Sequence, residues 1–310
     1  MPRTLRIGTR GSQLALWQAR WVQSAIQTHW PQIHVELSII KTTGDKIIDR
    51  PLSQVGGKGL FVKEIEEALL AERVDLAVHS MKDMPAEIPA GLAVGAVPAR
   101  ENPQDALVSD HYGALDELPQ GARVGTSSLR RAAQLLHQRP DLKIVPLRGN
   151  LGTRLKKLTD TDLDAVILAA AGLRRLGLAD RITLLLSAEQ MLPAVGQGAL
   201  CIQTRDGDPL VSPVLGPLDD ADARTAIAAE RAFLTRLEGG CQIPLAGFAQ
   251  VSGKRVTMTG LVAEPDGRTI IRESAEAPVE AATGMGKALA ETLLARGADK
   301  ILESLQSNVR

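Results

Sequence analysis

The chain has 310 residues, room for two or three domains, and its 36 basic residues are matched by 36 acidic ones. Balanced charge gives no global field toward nucleic acid, and an aromatic share of 2% is too small for stacked recognition of single strands. Two cysteines (Cys201, Cys241) and five dispersed histidines (His29, His34, His79, His111, His137) offer no metal-ligand spacing.

No apolar run approaches the ~18 residues of a membrane-spanning helix. The N-terminus enters a strand pattern directly, without the apolar core of a signal peptide, so a cytoplasmic protein with reduced thiols is expected.

Leu5-Arg6-Ile7-Gly8-Thr9 reads as a strand, and Arg10-Gly11-Ser12 as a turn into a helix capped by Ser12. Leu14, Trp17, Trp21 and Ala25 recur at helical spacing and are expected to face a core. Val35, Leu37 and Ile39 alternate as the next strand, which gives a βαβ unit with a right-handed crossover.

Gln54-Val55-Gly56-Gly57-Lys58-Gly59 is a glycine-rich cationic loop, and Phe61, Ile65, Ala68 and Leu69 mark the helix after it. The residues alone read either as an ordinary turn or as a mobile lid over an anion. They do not form a phosphate-binding P-loop, because its glycine-lysine-hydroxyl pattern is missing.

The buried strand Asp75-Leu76-Ala77-Val78 delivers His79-Ser80-Met81-Lys82-Asp83 at its carboxyl end, where open α/β sheets bind ligands. His79 reads as a satisfied strand-end residue and not a base. Three later strand ends repeat this plan with arginine: Gly125-Thr126-Ser127-Ser128-Leu129-Arg130-Arg131, Leu147-Arg148-Gly149-Asn150 through Arg154, and Ala171-Gly172-Leu173-Arg174-Arg175. An arginine in a first helical turn opposes the helix dipole, so local stability is not expected to account for it. A carboxylate- or phosphate-rich ligand accounts for it better.

Leu192-Pro193-Ala194-Val195-Gly196-Gln197-Gly198 reads as a hinge before a strand holding Cys201 in the core. A helical pattern over 221–237 then runs into Glu238-Gly239-Gly240-Cys241. Two glycines free the backbone to project the sulfur on a tight loop; taken alone, the stretch reads better as a helix cap followed by a buried, inert cysteine. Strands around 256–260 and 269–271, separated by the turn Pro265-Asp266-Gly267, and a final helix near 280–294 complete a small α+β domain.

Seven stretches in order resemble the porphobilinogen deaminase (hydroxymethylbilane synthase) family over essentially the whole chain. They are Gly8-Thr9-Arg10-Gly11-Ser12-Gln13-Leu14-Ala15, Val55-Gly56-Gly57-Lys58-Gly59-Leu60-Phe61, His79-Ser80-Met81-Lys82-Asp83, Gly125 to Arg131, Leu147-Arg148-Gly149-Asn150, Leu192 to Gly198, and Glu238-Gly239-Gly240-Cys241.

The resemblance implies an α/β fold: two doubly wound domains like the halves of a periplasmic binding protein, plus a small α+β C-terminal domain. The expected boundaries are 1–98 with 199–217, 99–198, and 218–310. It implies a monomeric transferase of heme biosynthesis that condenses four porphobilinogen molecules with loss of ammonia. The primer is a dipyrromethane cofactor joined to Cys241 by a thioether.

Asp83 is then the catalytic acid, and Lys82, Ser128, Arg130 and Arg131 hold the cofactor with Cys241. Arg10, Ser12, Ser80, Thr126, Ser127, Arg148, Arg154 and Arg175 bind substrate, and Lys58 and Phe61 belong to the lid loop. No metal, nucleic acid or membrane partner is implied. One departure stands out: the family commonly carries a lysine where this chain has Gln54. A solute-binding module for a dicarboxylate is the alternative, but it has no use for a projecting cysteine loop or for Asp83 amid arginines.

Overall fold

The computed structural model describes residues 4–46, 59–237 and 243–307, in two compact units. The first unit comprises Met1–Glu101 and Ala199–Arg224. Its elements are β1 (Thr4–Thr9), α1 (Gln13–His29), β2 (His34–Ile39), the single turn α2 (Thr43–Lys46), α3 (Lys63–Leu70), β3 (Leu76–Ser80) and β4 (Leu92–Ala96). The remaining strand, β10 (Leu200–Arg205), comes from the returning chain and is followed by the short helix α7 (Ser212–Leu215).

The sheet order is β2-β1-β3-β10-β4, with β1 parallel to β2 and β3, and β10 antiparallel to both its neighbours. Side chains alternate across it: Leu5, Ile7, Leu76 and Val78 pack on α1, while Ala77 packs with Ile65, Ala68 and Leu69 of α3. Both faces are covered, so the central strands read as continuous apolar runs.

The buried face of α1 is Ala15, Gln18, Ala19, Val22 and Ile26. It is offset from the expected stripe, and Trp21 is exposed. Ala15 and Ala19 are small enough to bring the helix backbone close to the sheet, and the larger residues beside them fall to its flanks. An aromatic-weighted stripe pointed to the wrong side by about one residue of helical rotation, roughly 100°.

The second unit comprises Asn102–Gly198 and Thr225–Arg310. Its first sheet is built from β5 (Asp105–Val108), β6 (Arg123–Gly125), β7 (Lys143–Val145), β8 (Ala165–Ala169) and β9 (Leu184–Leu186). Helices α4 (Leu129–Gln138), α5 (Leu151–Asp160) and α6 (Ala170–Arg175) follow β6, β7 and β8. The order β7-β6-β8-β5-β9 repeats the plan of the first unit, with three parallel strands and then antiparallel β5. Because β7, β6 and β8 are adjacent and parallel, the turns carrying Arg130, Arg131, Arg148, Arg154 and Arg175 all leave one edge of the sheet.

The same unit holds an antiparallel meander, β11 (Leu245–Ser252), β12 (Arg255–Ala263) and β13 (Ile270–Pro278). It is covered by α8 (Ala221–Arg236), α9 (Ala282–Leu293) and α10 (Asp299–Ser307). Phe233 of α8 is fully buried among Val256, Met258, Val262 and Leu289, and its ring lies against Gly260, where any side chain would overlap it. Burying such a ring stabilises the domain by roughly 1.5–3 kcal/mol.

Strand β11 and helix α10 were not foreseen from the sequence, and β13 runs on to Pro278, beyond the expected short pair. Gly297, at φ 104°, separates α9 from α10, so the sequence pattern breaks there although the helical layer continues. Among the described residues no helix is long and apolar enough to cross a membrane.

Candidate active site

In the first unit the polar groups gather at the carboxyl ends of β1 and β3. Ser80 closes β3, and a single 3₁₀ turn, Met81–Asp83, brings Asp83 to the surface. The turn is held by the Met81 amide, which donates to the Ala199 carbonyl at 3.0 Å. Asp83 is exposed, Lys82 is half-buried, and Asp83 shares a pocket of about 50 Å³ with Arg10, Ser12, Phe61, His79 and Ser80.

Ser12 caps α1, accepting from the Ala15 amide at 3.3 Å, and Gln18 Nε2 donates to Ser80 Oγ at 2.9 Å. Arg10 donates to Asp45 through Nε (3.1 Å) and Nη2 (2.5 Å), and its guanidinium lies 4.0 Å from the Phe61 ring centroid. Burial pushes the Asp45 carboxyl up, but hydrogen bonds from Arg10 and Thr42 outweigh it and hold the carboxyl low.

His79 is buried beneath this pocket. Its Nε2 meets Gln203 Oε1 at 3.1 Å, and Gln203 Nε2 donates to Glu66 Oε1 at 2.9 Å. With the Gln203 oxygen facing His79, the imidazole carries its proton on Nε2 and donates it. Burial drives the His79 pKa down to about 4, against the Gln203 hydrogen bond that raises it. The ring is therefore neutral at pH 7, and the structure agrees with its reading as a satisfied strand-end residue. Burial also pushes the Glu66 carboxyl up.

In the second unit Arg130 and Arg131 are buried and share one fully buried carboxylate, Asp105 at the start of β5. Arg130 Nη1 lies 2.7 Å from Asp105 Oδ2 and Arg131 Nη2 lies 2.7 Å from Oδ1. Arg130 also donates to the Leu192 carbonyl (2.7 Å), Arg131 to that of Ile167 (2.9 Å), and Gln197 Nε2 to Asp105 Oδ1 (3.0 Å). Burial disfavours the Asp105 charge, yet the two guanidiniums hold its carboxyl down to about 2; burial in turn lowers Arg131 to about 10.

The expectation that these arginines add nothing locally is corrected here: they bind Asp105. Even so, two cations against one anion leave a surplus positive charge at the strand ends. Asp105 escaped the sequence reading because its partners lie far along the chain and an aspartate at a strand start looks like a turn residue.

The hydroxyl groups also have local partners. Ser127 Oγ donates to the Leu147 carbonyl and accepts from its amide, both at 2.8 Å, which ties the β6–α4 turn to the end of β7. Ser128 caps α4, accepting from the Arg131 amide at 3.4 Å, while Thr126 is buried and its Oγ1 accepts from the Ser128 amide. Arg148 is half-buried, Arg154 Nε donates to the Gly149 carbonyl (2.9 Å), and buried Arg175 donates to that of Gly198 (2.7 Å). Gln54, Lys58 and Cys241 lie outside the described residues. Among the described residues no group of three or more histidine, cysteine, aspartate or glutamate side chains could hold a metal ion.

Each α/β sheet thus places its cations and hydrogen-bond donors at the carboxyl ends of parallel strands, the arrangement of α/β proteins that bind anionic ligands. Comparison with known proteins narrows the class. Residues 5–212 match the family model described as porphobilinogen deaminase, dipyrromethane cofactor binding domain, and residues 224–295 match the C-terminal domain of the same family.

The chain belongs to the porphobilinogen deaminase family. It is 58% identical over 301 residues to the porphobilinogen deaminase of Syntrophotalea carbinolica, covering 97% of this chain and 96% of that protein. It is 55% identical to that of Geobacter metallireducens over 97% of this chain and 94% of the relative. Among solved structures, the methionine binding protein MetQ aligns with a TM-score of 0.45 at 15% identity, over 69% of this chain and 89% of that one.

Proposed function

We infer that the chain is a hydroxymethylbilane synthase, a transferase of tetrapyrrole biosynthesis. It condenses four porphobilinogen molecules head to tail, releases ammonia at each addition and frees the linear product by hydrolysis. The observation that carries the assignment of the site is the buried Arg130–Arg131–Asp105 cluster. Its unbalanced positive charge suits a ligand whose every ring bears carboxylates.

The same donor set fits the family's dipyrromethane, whose acidic side arms need planar, permanently charged partners. Arg130, Arg131, Ser128 and Lys82 would hold it and Cys241 would anchor it. When bound, the group supplies the pyrrole carbon on which the chain grows.

The protein's own residues bind and orient the incoming unit. Arg10, Arg148, Arg154 and Arg175 would take its acetate and propionate, aided by donors from Ser12, Ser80, Thr126 and Ser127. Asp83 would accept the pyrrole N–H and stabilise the positive charge that develops as ammonia departs, then handle the protons. Its exposed place on the pocket wall, beside Arg10 and Ser80, supports that role. Phe61, packed on Arg10, would keep that guanidinium oriented, and Lys58 would add a cation to the loop before it.

Three separate sheets support a three-domain division at 1–98 with 199–217, 99–198 and 218–310. A monomeric cytoplasmic enzyme without nucleic-acid partners completes the reading, supported by a net charge of +0. The test of the catalytic role is Asp83→Ala. An exposed side chain should leave circular dichroism and melting unchanged, while turnover of porphobilinogen should fall by roughly 100-fold or more. Near-normal turnover would remove Asp83 from the mechanism.

A further inference from the structure

Helix α8 carries a glutamate, Glu230, that is completely buried. Its two oxygens accept from two different pieces of backbone: Oε2 from the Gly196 amide at 2.6 Å and Oε1 from the Ala249 amide at 2.8 Å. Gly196 belongs to the segment 192–198, where φ is +72° at Gly196 and +88° at Gly198. That segment is also fastened to β11, because the Gly247 amide donates to the Pro193 carbonyl at 3.1 Å.

The same seven residues bond two of the arginines, Arg130 and Arg175. The Leu192 carbonyl receives Arg130 Nη1 at 2.7 Å, and its amide donates to Gln134 Oε1 at 2.7 Å. Gln197 Nε2 donates to Asp105 Oδ1 (3.0 Å) and to the Pro103 carbonyl (2.7 Å). The Gly198 carbonyl receives Arg175 Nη2 at 2.7 Å. One segment thus bonds the Asp105 cluster and Arg175 on one side and the meander domain on the other.

We propose that Glu230 is a positioning residue: by clamping the Gly196 amide it sets where the Arg130–Arg131–Asp105 cluster and Arg175 stand relative to helix α8, which leads in sequence to Cys241. The inference rests on the reading of Cys241 as anchor and of these arginines as carboxylate binders. A glutamate suits these two amides chemically, since each is an N–H donor and a carboxylate offers each its own acceptor oxygen. A glutamine would turn an NH₂ group toward one of them. A small displacement between an anchored chain and the forks that receive its carboxylates degrades binding more than it degrades the fold.

The test uses the full-length holoenzyme, with Glu230→Gln beside Glu276→Gln, an exposed partner of Arg255 in the same domain that should behave as wild type. Glu230→Gln is expected to fold and carry the covalent adduct by intact mass, yet to raise KM for porphobilinogen roughly ten-fold, with a smaller change in kcat.

An unchanged KM in the folded variant overturns the proposal, and so does a lowered melting temperature with unchanged KM, which marks a purely structural carboxylate. Should the variant not fold, hydrogen exchange of the wild-type holoenzyme decides. Slow exchange at both the Gly196 and Ala249 amides supports the clamp, and exchange of Gly196 at surface-loop rates overturns it. A wild type without adduct or turnover overturns the underlying reading together with this one, whereas an active wild type beside an unaffected variant overturns the clamp alone.

Discussion

Asp105→Asn removes the one carboxylate shared by two buried guanidiniums. In the native protein the pull of Arg130 and Arg131 lowers its carboxyl from 3.8 to about 2. That shift is worth roughly 2–3 kcal/mol of folding stability at neutral pH. Deleting the charge costs more than losing this stabilisation, because Arg130 and Arg131 would then face one another, desolvated and uncompensated. Breaking a buried pair in this way typically costs roughly 3–5 kcal/mol.

For a unit of this size the melting temperature should fall by roughly 6–20 °C. The sign with pH follows from the same numbers. An unfolded chain protonates Asp105 near its ordinary value while the native one does not until about 2, so this stabilisation is present above about pH 4 and lost as pH falls toward 2. The assay is a thermal melt at pH 7, repeated for Asp105→Asn combined with Arg131→Met, which returns the cluster to the single surplus positive charge of the native protein and should recover part of the loss. A melting temperature unchanged in the single variant would refute the reasoning, because the cluster would then hold no uncompensated charge.

Two further predictions rest on single contacts. His79, driven down to about 4 by burial, should show no ring titration between pH 5 and 8 in a proton NMR spectrum. As pH falls from about 6.5 to about 4 the unfolded chain binds a proton that the native ring refuses, so His79 lowers stability over that window. A ring that titrates near 6.5 contradicts this. Gly267, at φ +72° in the β12–β13 turn, sits where an added Cβ would strike the Ala133 carbonyl and the His137 amide of α4. Gly267→Ala should therefore destabilise by roughly 1–3 kcal/mol, read as a lower denaturant midpoint with an unchanged slope. An unshifted midpoint would mean that the turn does not seat on α4.

The parts of the molecule legible in the sequence were those written in local punctuation. The turns after β1, β6 and β7 announce themselves because an apolar run ends in glycine, hydroxyl and cap residues, and the cap contacts of Ser12, Ser128 and Asn150 realise that pattern. What local pattern does not carry is partnership across the chain. Asp105, Gln197 and Glu230 gain their meaning from residues far away in sequence, and each resembles an ordinary polar residue among neighbours.

Strand β11 was hidden for a different reason. Leu245, Ala246 and Gly247 are all buried, so its first half lacks the alternation that marks a one-sided strand. The aromatic stripe of α1 does not coincide with its buried face because close packing on the sheet favours alanine at Ala15 and Ala19.

The proposed chemistry turns on Cys241 carrying a primer built from the enzyme's own substrate. Intact mass of the purified protein, with peptide mapping around Cys241, tests it most directly after incubation with porphobilinogen. The expected result is an adduct on that peptide equal to two porphobilinogens less two ammonias, absent from Cys241→Ser. A protein that turns over porphobilinogen with Cys241 unmodified, or a fully active Cys241→Ser, would contradict it.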